Sequence, residues 1–312
     1  MTATLPRALG AVALAGAGAL AWSLVEARWY TLREVTVPVL PSGQDPLRVL
    51  HLSDLHLTPG QRRKVDWVRD LASLDPHLVV DTGDNWAHLD AMTSLLDALE
   101  PHLARPGAFV LGSNDYYAPR AKNPARYLLP DSRGDAPARP VELPWRELVA
   151  RFSAAGWIDL TNRRDVLKVD GRVLSLVGTD DAHLDRDRFP AAGGDDDVRG
   201  GSVPIDLHLG VTHAPYRRVL DAMHADDVDV TIAGHTHGGQ LAVPLWGALV
   251  TNCDLDTRRA KGLHGWPGPR PDRTGGAGSS WLHVSAGLGT SPYAPVRFAC
   301  RPEATLLTFV AA

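Results

Sequence analysis

The sequence predicts an α/β fold with a largely parallel sheet, preceded by one hydrophobic helix. Three observations carry this. Short β-rich runs alternate with amphipathic helical stretches from residue 47 onward, Asp, Asn and His recur just after the apolar runs, and an uncharged stretch lies near the N-terminus. Such alternation is what βαβ units produce, each helix covering the sheet that its flanking strands build. A chain of 312 residues with 44% apolar side chains can bury a full core. The organisation expected is one domain, 31–312, behind an N-terminal segment, 1–30.

Residues 8–25 carry no charge, and as a helix they would be about 27 Å long at about 1.5 Å per residue, close to a bilayer core. Arg7 precedes them, and Trp22, Trp29 and Tyr30 stand where an interfacial aromatic belt would be. The expectation is a single-pass membrane anchor, although Ala and Gly dominate and make insertion marginal. A cleaved leader and a buried Ala-rich helix are the alternatives; the lack of a small-x-small site followed by a mature-looking start weighs against cleavage. Arg7 and the terminal amine oppose Arg28 and Arg33 across the segment, so the membrane face of the catalytic part stays open.

Strands are expected at 47–53, 77–81, 107–111, 172–177, 206–212, 229–233 and 281–285, where β-branched and other apolar residues run together. Helices are expected at 64–74, 91–103, 145–155 and 216–224, which place apolar residues at helical spacing. Pro, Gly and charge interrupt the pattern at 117–140, 185–201 and 257–280, and long loops beside an active site often cap it. The net charge of -4 offers no basic stripe, so nucleic acid is not an expected partner, and no protein partner is indicated. Cys253 and Cys300 are too few for a disulfide scaffold and lack zinc-knuckle spacing, which leaves them as packed thiols.

The chemistry sits at the strand ends. The first strand closes on His51-Leu52-Ser53-Asp54-Leu55-His56, and residues two apart in extended backbone point to one side, so Asp54 and His56 suit one ion. The second closes on Asp81-Thr82-Gly83-Asp84-Asn85, where a solvated turn would explain Asp84 equally well taken alone. The third runs into Gly112-Ser113-Asn114-Asp115. Later strands deliver His213 in Thr212-His213-Ala214-Pro215, and His235 and His237 in Gly234-His235-Thr236-His237-Gly238-Gly239-Gln240. A single His after a strand is usually a satisfied loop residue. Five strand ends, each offering a ligand-type side chain where α/β sheets bind ligands, point instead to a metal site. Glycines flanking two imidazoles allow them to approach an ion closely.

These blocks, D-x-H, G-D, G-S-N-D, a lone His and G-H-T-H-G-G-Q, resemble the calcineurin-like metallophosphoesterase superfamily from about Leu47 to the C-terminus. The last form, with an N-terminal hydrophobic segment, is most similar to the membrane-anchored bacterial branch, some of whose members cleave lipid-linked pyrophosphates. The resemblance implies a layered αββα sandwich and two divalent ions of the Mn, Fe or Zn kind. Asp54, His56 and His237 would hold one ion, Asp84 would bridge, and His213, His235 and an amide oxygen would hold the other. The implied reaction is in-line attack on a phosphodiester or pyrophosphate by a hydroxide held between the ions.

The third block departs from the family's Gly-Asn-His-Asp. Without a gap Ser113 falls on the Asn ligand; shifted by one, Asn114 is the ligand and Asp115 takes the place of the His that assists the leaving group. A carboxamide oxygen suits a hard divalent ion better than a hydroxyl, which favours Asn114 as ligand and makes Asp84 and Asp115 the candidate catalytic pair. The usual His is absent either way. A silent metal-binding scaffold is therefore the rival expectation, and substrates with good leaving groups are expected to be retained best. Arg120, Lys122, Arg126, Arg133 and Arg139 in one loop, and Arg258, Arg259, Lys261, Arg270 and Arg273 in another, offer charge for a second phosphate or simply a solvated surface. Asp195-Asp196-Asp197 reads as a solvated turn.

Overall fold

A computed structural model describes residues 4–121, 140–191 and 204–312, with the side chains of 4–9 and 12 outside that description. Lys122, Arg126, Arg133, Arg139 and Asp195-Asp196-Asp197 therefore lie outside the described residues. The helices are α1 (Thr4–Glu26), α2 (Arg62–Asp70), α3 (Met92–Leu103), α4 (Ser113–Tyr116), α5 (Trp145–Ala154) and α6 (Arg217–Ala225).

Two six-stranded sheets stack face to face. Sheet 1 runs β1 (Thr31–Leu40), β14 (Glu303–Ala311), β2 (Leu47–Leu52), β3 (Leu78–Asp81), β4 (Gly107–Phe109) and β5 (Ile158–Asp159). Sheet 2 runs β12 (Gly262–Trp266), β13 (Ser280–Val284), β9 (Val230–Ala233), β8 (Leu207–Thr212), β7 (Arg172–Gly178) and β6 (Arg164–Val169). Strands β10 (Ala242–Val243) and β11 (Gly247–Ala248) form a separate hairpin. The inner strands of each sheet are parallel, and antiparallel pairs occur at β14–β2, β12–β13 and β6–β7.

The period of two along the strands separates the cores. Leu47, Val49, Leu78, Val80, Ala108 and Val110 point from sheet 1 to meet Leu174, Leu176, Leu209 and Ile232 from sheet 2. Their neighbours Leu50, Leu52, Val79 and Phe109 point the other way, onto α2, α3 and α5. Helix α3 buries Leu95, Ala98, Leu99 and His102, an i, i+3, i+4, i+7 stripe. On the far side α6 buries Val219, Leu220 and Met223 against Leu282 and Val284. The result is four layers, helix, sheet, sheet, helix. The expected strands and helices form within a few residues of their expected bounds, while β1, β5, β6, β12, β14 and the hairpin were not anticipated. Strand β1 carries Pro38, which cannot donate to a ladder; as the sheet edge it needs only the bonds to β14. Cys253 and Cys300 are buried and unbridged.

The expected membrane anchor is a helix, α1, but among the described residues no helix is long and apolar enough to cross a membrane. The C-terminal end of α1 is tied to the sandwich. Buried Glu26 accepts hydrogen bonds from the N–H groups of Cys300 at 2.7 Å and Ala299 at 3.1 Å, and Ser23 O accepts from Arg297 N at 3.0 Å. Leu14, Leu20, Trp22, Val25 and Trp29 stay exposed.

Candidate metal centre

The ligand-type residues gather at one end of the stacked sheets. Asp54 and His56 follow β2, Asp84 follows β3, Asn114 lies in α4 after β4, His213 follows β8, and His235 and His237 follow β9. Asp54, His56, Asp84, His235 and His237 all adopt positive φ, between 42° and 69°. Such backbone is uncommon for residues with a side chain and costs on the order of 1–3 kcal/mol each, so its concentration here marks a functional site. Gly112 fits the same crowding: a β-carbon there would lie 2.7 Å from His213 Nε2 and would strike Asp84.

Two sets of ligand atoms lie within 4.8 Å of one another: Asp54, His56 and His237; and Asp54, Asp84 and His213. His237 Nε2 is 3.6 Å from Asp54 Oδ1 and 3.3 Å from His56 Nε2. Asp84 joins the sets, with His56 Nε2 at 3.4 Å and His213 Nε2 at 3.6 Å from its carboxylate. Asp54 Oδ1, His56 Nδ1 and His213 Nε2 are buried and make no hydrogen bond. Orphaned acceptors and imidazole nitrogens converging at this spacing are a donor set that fits divalent ions. The outer contacts orient them. His213 Nδ1 is 2.7 Å from Thr82 O, so it donates from Nδ1 and keeps Nε2 for the site, and His237 Nδ1 lies 3.2 Å from both Gly289 O and Arg297 Nη2 with Nε2 turned to the site. Asp54 Oδ2 accepts from Ser53 Oγ at 2.5 Å and His235 N at 3.0 Å.

His235 sits apart from both sets. Its ring lies 5.2 Å from that of His213, and Nε2 lies 3.1 Å from Asn252 O and 3.3 Å from Asn252 Nδ2. Asn114 anchors on Asp84, donating from its backbone N to Oδ1 and from Nδ2 to Oδ2, both at 2.7 Å; Ser113 Oγ accepts only a long 3.4 Å contact from Asn114. Asp115 faces inward. Its carboxylate accepts from the N–H groups of Asp84 at 2.8 Å and of Asn85 and Gly112 at 2.9 Å, binding the second and third blocks together. It is fully buried.

Burial governs the charges. It raises the Asp54 carboxyl to about 6, helped by Asp84, and lowers the His56 imidazole to about 4. Burial also opposes the charged forms of Asp84 and His213, but the pair overrides it: Asp84 is held below the ordinary carboxylate range, and His213 rises to about 9. Asp115 is pushed up to about 7 by burial and by the Asp84 charge.

Four further residues complete the site without having been singled out. Asp181 is buried, has one orphaned oxygen and rises to about 7 through burial. His183 packs 4.5 Å from the His235 ring with Nδ1 3.1 Å from Tyr216 Oη. Asn252 holds His235. Buried Arg297 donates to Ala286 O and Gly289 O, both at 2.7 Å, fixing the loop behind His237. For Asp181 the signal was present, since Gly178-Thr179-Asp180-Asp181 ends β7 as the other blocks end theirs; Asn252 and Arg297 follow no strand with such a pattern. Of the basic residues, Arg259, Arg270 and Arg273 pair with Asp256 or Asp272, whereas Arg258 and Lys261 line a cleft beside the hairpin. Arg120 is exposed.

The four-layered sandwich and its carboxylate and imidazole cluster define a metal-dependent phosphoester hydrolase. The profile of the calcineurin-like phosphoesterase family matches residues 47–239, and the chain belongs to that family. It is 24% identical to YpbG of Bacillus subtilis (strain 168), covering 96% of this chain and 95% of that protein. It is 30% identical to phosphodiesterase YaeI of Escherichia coli (strain K12), covering 55% of each. A Bos taurus transmembrane protein with metallophosphoesterase domain is 28% identical over 68% of this chain and 45% of its own length. Among solved structures, TT1561 of Thermus thermophilus covers 78% of this chain and 91% of its own at 12% identity and a TM-score of 0.42.

Proposed function

We propose that residues 31–312 form a binuclear hydrolase of phosphodiester or pyrophosphate bonds, acting on a substrate presented at a lipid surface. The observation that carries the binuclear reading is the pair of ligand sets sharing Asp54 and joined by Asp84. Asp54, His56, Asp84 and His237 would hold one ion, and Asp84, Asn114, His213 and His235 the other. Divalent ions here supply Lewis acidity, neutralising phosphoryl oxygens and lowering the pKa of water.

The chain's own groups do the rest. Asp115 holds the Asp84 and Gly112 backbones in register, and Asn114 orients the Asp84 carboxylate. His183, which stands beside His235 and contacts Tyr216 Oη through Nδ1, is the residue we assign to the part of the absent third-block His, where it would assist the departing oxygen. The lipid-surface reading rests on α1, whose exposed Leu14, Leu20, Trp22 and Val25 suit contact with a bilayer. Relatives bearing the phosphodiesterase and transmembrane names agree with both halves.

Metal analysis of the purified chain, coupled to turnover of an aryl diester, a nucleotide-linked diphosphate and an alkyl monoester, tests this. Two equivalents of metal with preference for the diester or diphosphate is the expected result. Metal without turnover of any of them would favour the scaffold reading that the missing third-block His also allows.

A further inference from the structure

The period of two that builds the sheets also lays a polar file between them. On β2, Leu47 and Val49 face the opposing sheet and His51 continues that face; on β3, Leu78 and Val80 do so and Thr82 follows; on β13, Trp281 does so and His283 follows. His51, Ser53, Thr82 and His283 are all buried. The apolar seam therefore ends, toward the metal centre, in side chains that bond one another. His283 Nδ1 is 3.1 Å from His51 Nδ1, His51 Nε2 is 2.9 Å from Thr82 Oγ1, Thr82 Oγ1 is 2.7 Å from Ser53 Oγ, and Ser53 Oγ is 2.5 Å from Asp54 Oδ2. Gly234 leaves room for the last contact, since a β-carbon there would strike Ser53 Oγ.

Counting hydrogens gives the file a direction. Asp54 Oδ2 is an acceptor, as it also is for His235 N at 3.0 Å, so Ser53 donates to it. A hydroxyl carries one hydrogen, and that of Ser53 is now committed. Thr82 must then donate to Ser53, because the two oxygens would otherwise meet lone pair to lone pair, and His51 Nε2 must donate to Thr82. Burial, with His283 beside it, keeps the His51 ring neutral, so its Nδ1 is bare and accepts from His283 Nδ1. Every donor points toward the metal centre. At the far end Oδ2 is satisfied twice, whereas Oδ1 makes no hydrogen bond and lies 3.6 Å from His237 Nε2 and 4.0 Å from His56 Nε2. Thr82 also serves the other ligand set, its carbonyl accepting from His213 Nδ1 at 2.7 Å.

We propose that His283, His51, Thr82 and Ser53 form a one-way hydrogen-bond relay that positions Asp54, saturating Oδ2 so that Oδ1 alone is offered to a divalent ion. The relay rests on the metal-centre reading above and extends it to His51 and His283, positioning residues that act on Asp54 only through the two hydroxyls. It also makes the seam between the sheets part of the site's construction, since His283 comes from sheet 2 and the other three from sheet 1.

The test uses the full chain. Long-range proton–nitrogen spectra of the metal-free protein at neutral pH, with His51 and His283 assigned by substitution, should show His51 protonated at Nε2 and His283 at Nδ1. His51 protonated at Nδ1 would overturn the relay, whether or not any phosphoester is turned over. Titration with Mn²⁺ against a chelator then measures what the relay does for the site. Thr82→Val keeps the shape and removes the hydroxyl, and should weaken binding about tenfold. Thr82→Ser, which keeps the donor, should bind close to the parent. At the far end His283→Leu should weaken binding by a smaller factor, and His283→Asn, which can still donate to His51, should restore it. Unchanged affinity in Thr82→Val, or equal losses in Thr82→Val and Thr82→Ser, would reduce the contacts to packing and overturn the proposal. A parent chain that binds no divalent ion would instead overturn the metal-centre reading itself, a result distinct from a wrong His51 tautomer.

Discussion

The two sheets contribute unlike halves of the metal centre. Sheet 1 supplies both carboxylates, the amide and one imidazole, through Asp54, His56, Asp84 and Asn114, whereas sheet 2 supplies imidazoles alone, through His213, His235 and His237. The first half is pinned by short-range backbone bonds, above all those into Asp115. The second depends on distant segments: Asn252 for His235, and Gly289 with Arg297 for His237. The difference teaches that neither sheet alone is a site. Burial and the Asp84 charge raise the cost of ionising Asp54, burial raises that of Asp84, and His213, arriving from the other sheet, lowers it for both.

The sharpest way to break the comparison is Asp84→Ala, which removes the group joining the two sets. Metal content should fall below one equivalent and kcat/KM by on the order of 10³-fold or more, read by metal analysis and diester turnover. Retention of both ions would show that Asp54 alone bridges the halves. Next is His183→Asn, on the sheet 2 side. A loss of about 10²-fold is expected for alkyl leaving groups and much less for p-nitrophenyl esters, because only a poor leaving group needs the proton. Equal losses on both would give His183 a purely structural part.

Asp115→Ala tests the pinning of the sheet 1 half. Loosening the backbones of Asp84 and Gly112 should weaken metal affinity about 10- to 100-fold, measured by titration against a chelator, with activity recovering at high metal concentration. Failure of excess metal to restore rate would mean that Asp115 acts on the chemistry directly. The smallest expected effect concerns the seam between the sheets, where buried His51 and His283 face each other at 3.1 Å between Nδ1 atoms. Burial lowers His283 to about 3 and His51 well below its ordinary value, each worsened by a histidine neighbour. Both titrate lower folded than unfolded, so their contribution is fully present above about pH 6.5 and is lost as pH falls toward the folded values. Between about pH 6.5 and 5 this amounts to about 2 kcal/mol for His283. Urea unfolding of metal-free His283→Gln should show a shallower acid slope than the parent, and identical slopes would exclude the seam as the acid-sensitive element.

Much of this was legible in one dimension. Apolar runs of period two and helical stripes specified β2, β3, β8 and β9 and helices α2, α3, α5 and α6, because each is defined by local spacing and a single buried face. The ligand-type residues were legible for the same reason: they lie directly after those runs, and chain direction alone puts them at one sheet edge. What sequence could not decide was whatever depends on a partner far along the chain. Strands β1 and β14 are visible only as a pair whose members lie some 270 residues apart, and Arg297 gains its meaning from carbonyls that the fold brings around it. Asp115 shows the limit most clearly. Its place in Gly112-Ser113-Asn114-Asp115 suggested a group at the chemistry, but the direction of a buried carboxylate is set by which unpaired N–H groups surround it, and the tertiary structure turned it toward the backbones of Asp84, Asn85 and Gly112.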